Sequence, residues 1–154
     1  MQIKFPLLLF TFLLLSANST FAAPTTFSQI IGNALLCNDH IDPSYFKSYM
    51  SAFFQPAYKV EGEAYWFKAE TTLFGGSVKE VFVSVESSKF AFIGIVMEDK
   101  QETVKARIES LMGIRFSPAQ DLLTLRSAPG SFLIQYGSQN SKLFCVKHRI
   151  DGVT

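Results

Sequence analysis

Two cysteines, two histidines and one tryptophan are spread over 154 residues, and this scarcity removes several kinds of chemistry. A redox site of the usual kind places two cysteines in a Cys-X-X-Cys arrangement with a lowered thiol pKa, and neither Cys37 nor Cys145 has such a neighbour. No Gly-X-Ser-X-Gly elbow marks a hydrolase nucleophile. Gly75-Gly76-Ser77 lacks the lysine of a phosphate loop and reads as a tight hairpin. Excess charge is missing as well: the formal net charge is +1 at pH 7 with both histidines neutral. Nucleic-acid binding usually requires clustered positive charge, so no nucleic-acid partner is expected.

Long apolar runs are confined to the start. Lys4 precedes the run Phe5 to Leu15, and Thr20-Phe21-Ala22 offers small residues where a signal peptidase reads. Such a run is too short for a membrane-spanning helix, which needs about 20 apolar residues. Residues 1–22 are therefore expected to be a cleaved signal peptide, and residues 23–154 a single α+β domain with no membrane anchor. Asn18 stands where a lipoprotein would carry cysteine after Leu15-Ser16-Ala17. The implied location is the periplasm or the extracellular space.

What is abundant is phenylalanine, 16 residues in all, which supplies a core but also suits an apolar cavity. Thr26-Phe27-Ser28-Gln29 has the pattern of a capping box, and Phe27, Ile30, Ile31, Ala34 and Leu35 follow at helical spacing. Asp42-Pro43 opens a second helix with the stripe Phe46, Tyr49, Met50 and Phe53, and Pro56 stops it. The period then shortens. Ala64 to Ala69, Val78 to Val85 and Phe90 to Met97 read as strands of a meander. Val81, Val83 and Val85 alternate with Glu80, Phe82 and Ser84, giving that strand one better buried face. Asp99 and Glu102 suggest a capping box for a third helix, with Val104, Ile108, Leu111 and Met112 inward and Gly113 at its end. Residues 117–126 fit a helix or a strand equally. Ser131 to Tyr136 and Lys142 to Lys147 close the chain as strands. The expected order is α-α-β-β-β-α-β-β, a mostly antiparallel sheet with helices packed on one face.

Each cysteine stands three residues before a histidine, in Cys37-Asn38-Asp39-His40 and Cys145-Val146-Lys147-His148. A zinc site needs four converging ligands. Cys145 and His148, however, lie in or just beyond a strand, where residues three apart face opposite sides. In an exported protein an even cysteine pair is most simply a disulfide, so Cys37 and Cys145 are expected to be joined, with no metal and no cofactor.

Two further groups are candidates for a site. Asp39, His40 and Asp42 could act as acid, base and orienter, although Asp42 suits a helix cap and Asp39 a turn. In Tyr65-Trp66-Phe67 consecutive side chains point to opposite faces of a strand, so either Trp66 or the Tyr65/Phe67 pair lines a groove or binding surface, unless a helix covers both faces. The expected function is a noncatalytic exported module that binds another envelope or secreted protein, of inhibitor, immunity or envelope-assembly type. It would use the sheet face or the loop from Asn38 to Asp42. A carrier of a small apolar ligand is the alternative, and a small hydrolase built on Asp39 and His40 is the second.

Overall fold

A computed structural model describes residues 23–121 and 123–149. The expected leader and its cleavage site lie outside the described residues. The chain is α+β, with three helices and an eight-stranded antiparallel sheet among the described residues. In chain order the elements are α1 (Phe27–Leu35), α2 (Pro43–Phe53), β1 (Lys59–Glu61), β2 (Ala64–Leu73), β3 (Gly76–Ser84), β4 (Phe90–Met97), α3 (Gln101–Met112), β5 (Phe116–Pro118), β6 (Thr124–Ser127), β7 (Phe132–Tyr136) and β8 (Asn140–His148). Across the sheet the strands run β1-β2-β3-β4-β8-β7-β6-β5.

The order is longer than the sequence pattern suggested, by β1, β5 and β6. Each has only three or four residues, too few to show a period. Of segment 117–126, Ser117 and Pro118 belong to β5 and Thr124, Leu125 and Arg126 to β6. The turns are set by left-handed backbone. Gly62 and Glu63 have φ of 59° and 57°, as a two-residue type I′ hairpin between β1 and β2 requires. Phe74 and Gly75, at 50° and 70°, do the same between β2 and β3, so this turn sits one residue before the Gly75-Gly76 pair.

Helix starts separate capping that sequence shows from capping that it only resembles. The Asp42 carboxylate accepts from the backbone amides of Ser44 and Tyr45 at 3.0 and 3.1 Å, and Pro43 follows as the first helical residue. Thr26 precedes α1 without capping it, because its hydroxyl lies 3.2 Å from the Tyr49 hydroxyl of α2. Lys100 occupies the position before α3, and Asp99 pairs with Arg107 instead. Leu111 and Met112, read as inward, are 62% and 46% exposed.

One core joins all three helices to the sheet. Phe27, Ile31 and Leu35 of α1, Phe46 and Met50 of α2, and Val104 and Ile108 of α3 pack with alternate strand residues, including Phe67, Val81, Val83, Ile93, Ile95, Leu133 and Leu143. α1 meets β4 and β8, α2 meets β2, β3 and β4, and α3 meets β7 and β8. A disulfide joins Cys37, just past α1, to Cys145 in β8, with 5.4 Å between their Cα atoms and a separation of 108 positions in sequence. Cys145 is fully buried in this core.

A candidate binding groove on the open sheet face

Strand alternation sends the other half of the side chains to the opposite face, where a second, smaller cluster forms from Ala64, Trp66, Phe82 and Val96 with Phe92 and Phe144 against it. The pairing registers place one unbroken row across all eight strands: Lys59, Trp66, Phe82, Gly94, Phe144, Phe132, Arg126 and Ser117. Its middle is aromatic. Trp66 and Phe82 have ring centroids 4.8 Å apart, and Phe132 and Phe144 stack at 5.5 Å. A cation lies near each end, Lys59 at 4.5 Å from the Trp66 ring centroid and Arg126 at 5.5 Å from that of Phe132.

Gly94 explains how the row closes on itself. It pairs with Phe82 in register, and the Phe82 ring occupies the space that a side chain at position 94 would take. The cross-strand neighbour thus fills the gap left by the glycine. The β1–β2 hairpin forms one wall, where the Trp66 indole N–H donates to the Glu61 carbonyl at 3.0 Å. Between this wall and Tyr136 of β7 is an open groove of about 530 Å³, lined by Trp66, Phe82, Phe92, Ile134, Lys142 and Phe144 among others. A broader depression of about 1000 Å³ adjoins Phe132 and Arg126 at the β5 and β6 side.

Lys142 stands in the row beside the aromatic one, paired with Val96 and Ile134. Its ammonium lies 3.8 Å from the Tyr136 ring centroid, 5.1 Å from that of Trp66 and 5.7 Å from that of Phe82. Burial pushes its pKa below the ordinary value of 10.5; Lys59 acts in the same direction, while Glu80 and Glu61 oppose it. The nearby carboxylates are already engaged. Glu61 binds Lys59 at 2.7 Å, and Glu80 accepts from Lys68 at 2.8 Å and from the Tyr58 hydroxyl. Burial alone would raise the Glu80 carboxyl pKa, but the bonds from Lys68 and Tyr58 outweigh it and the pKa falls below 4.5.

The candidate residues from the sequence are divided among different surroundings. Trp66 belongs to the groove, whereas Phe67 is fully buried in the helix-side core. Tyr65 also faces the helix side, where its hydroxyl donates to Glu86 at 2.8 Å and Lys47 lies 4.0 Å from its ring centroid. Asp39 and His40 are exposed in the loop between α1 and α2. The Asp39 carboxylate accepts from the His40 backbone amide at 2.7 Å, and Lys147 donates to the Asp39 carbonyl at 2.9 Å, which ties the loop to β8. Those bonds shape a turn. His148 lies 4.6 Å from the Phe90 ring centroid, on the face opposite Cys145. Among the described residues no group of three or more His, Cys, Asp or Glu side chains is arranged to hold a metal ion.

Phe82, Phe132, Phe144, Tyr136 and Lys142 were not singled out from the sequence. Only Phe82 carried a signal, as the aromatic outlier on the less buried face of its strand. Comparison of the chain with protein-family models, curated proteins and solved structures gives no match.

Proposed function

We propose that this chain is a noncatalytic, exported protein-binding module. Its helices close one face of the sheet, and the opposite face docks another envelope or secreted protein. The observation that carries the reading is the cross-strand aromatic row, which opens into a groove that no helix among the described residues covers. Aromatic residues are enriched at the centres of protein interfaces, where they supply most of the contact energy. The disulfide fits an oxidising, exported compartment. Among the described residues no helix is long and apolar enough to cross a membrane.

A second reading is supported by the groove's size, since small-molecule sites occupy about 300–1,000 Å³. Such sites enclose most of their ligand, and this groove is only partly enclosed, which favours a larger occupant. Native mass spectrometry of protein purified from the cells that make it separates the two. A co-retained polypeptide, lost on Ile134→Arg while far-UV circular dichroism is unchanged, is the expected result. A retained small apolar molecule would establish the carrier instead, and retention of neither, or a polypeptide indifferent to Ile134→Arg, would remove the groove from the account.

A further inference from the structure

Resting on the reading of the open face as a protein-docking surface, we infer that the groove selects a partner segment carrying an aspartate or glutamate beside a large apolar side chain, with Lys142 anchoring the carboxylate. The charge distribution identifies the anchor. Lys59 and Lys68 are each bound to a glutamate, whereas among the described residues no carboxylate lies within 4.0 Å of the Lys142 ammonium. Its ammonium makes no hydrogen bond to a described residue and lies over the Tyr136 ring, with the Trp66 and Phe82 rings farther off. The ammonium is reachable from the groove and lacks a protein acceptor, so a partner's carboxylate can take the place of solvent there in a charge-assisted bond.

Position defines the companion group. The Trp66 and Phe82 rings lie beside Lys142, and Phe92 and Phe144 continue the apolar floor. A carboxylate held at Lys142 therefore has its neighbouring side chain beside the partly exposed Phe92, Ile134 and Phe144 rather than in water. Arg126, at the far end of the aromatic row, adds positive charge of the same sense. Single-stranded nucleic acid also combines anions with stacking groups, but stacking needs open ring faces. Trp66 and Phe82 are each only 8% exposed, packed on one another and under Lys59 and Lys142, which leaves little open ring face for a base to stack on.

The test is selection from a library of random, acetylated and amidated octapeptides on the purified, oxidised protein, followed by calorimetric titration of the selected peptides. Peptides enriched in Asp or Glu next to Phe, Leu or Trp are expected. Lys142→Met should weaken them about 10- to 100-fold, as should Gln or Asn in place of the peptide's acid. The two changes together should cost little more than either alone, and Lys142→Arg should retain most of the binding. Melting curves verify that each variant is folded. Selected peptides that lack acids, or that bind Lys142→Met as tightly as the native protein, overturn the anchor; if they are still lost on Ile134→Arg, the docking face survives. Peptides indifferent to Ile134→Arg, or no selection at all, overturn both. An oligothymidylate that binds more tightly than any selected peptide and is lost on Lys142→Met overturns the acidic-segment assignment.

Discussion

Replacing Gly94 by alanine inserts a single methyl group where the ring of Phe82 already lies. The new Cβ would approach three ring atoms, and even the farthest of them, Cε1, would be 2.7 Å away. Phe82 must therefore leave its place. Overpacking of this kind costs about 1–3 kcal/mol, and losing the Trp66 stack forfeits about 0.5–1.5 kcal/mol as part of it. The lower backbone entropy of alanine in a strand returns about 0.5–1 kcal/mol, so Gly94→Ala should destabilise by about 1–2 kcal/mol. In a Phe82→Ala background the obstruction is gone, and the same substitution should stabilise by up to about 1 kcal/mol. The sign change is the diagnostic, because the coupling in the double-mutant cycle then exceeds the variation expected of independent sites. Urea unfolding followed by far-UV circular dichroism gives the free energies, and fluorescence of Trp66, the chain's single tryptophan, reports the ring that Phe82 touches. An equal cost in both backgrounds would refute the placement of Phe82 over Gly94.

Three other outcomes are expected. Cys37→Ala with Cys145→Ala releases a loop of 108 residues. In the chain-entropy model this removes up to about 4.8 kcal/mol, and equal urea midpoints for the native and double-variant proteins would contradict the crosslink's role. Lys142 has a folded pKa below its unfolded value, so between the two the unfolded chain binds more protons, and this residue's contribution to stability rises with pH. Any stability advantage of Lys142→Met at neutral pH should shrink as pH approaches 10.5, and a difference independent of pH would contradict the shift. Asp39→Ala and His40→Ala should alter stability or partner affinity only. A hydrolytic activity lost in either variant while circular dichroism is unchanged would overturn the noncatalytic reading.

The parts of this fold legible in sequence are those fixed by local periodicity or local hydrogen bonding. Asp42-Pro43 marks a helix start because the capping carboxylate needs only the next three residues. The alternation around Val81 and Val83 shows a two-faced strand for the same reason. Thr26 and Asp99 misled because their side chains are taken by distant partners, Tyr49 and Arg107, which a local pattern does not contain. The disulfide was accessible because only two cysteines exist to pair. The groove was not. Trp66, Phe82, Gly94, Phe144 and Phe132 come from five strands separated by turns and a helix, and they become neighbours only once four registers are fixed. A shift of one residue in any strand would turn its contribution to the other face.

The central claim is that the open sheet face meets a protein partner, and site-specific photocrosslinking in the producing cell tests it most directly. A benzophenone amino acid placed at Tyr136, 43% exposed at the groove rim, should yield a crosslinked polypeptide adduct. The same group at Leu111, 62% exposed at the end of α3, should yield none. Adducts from position 111 with none from position 136 would place the partner elsewhere and contradict the account.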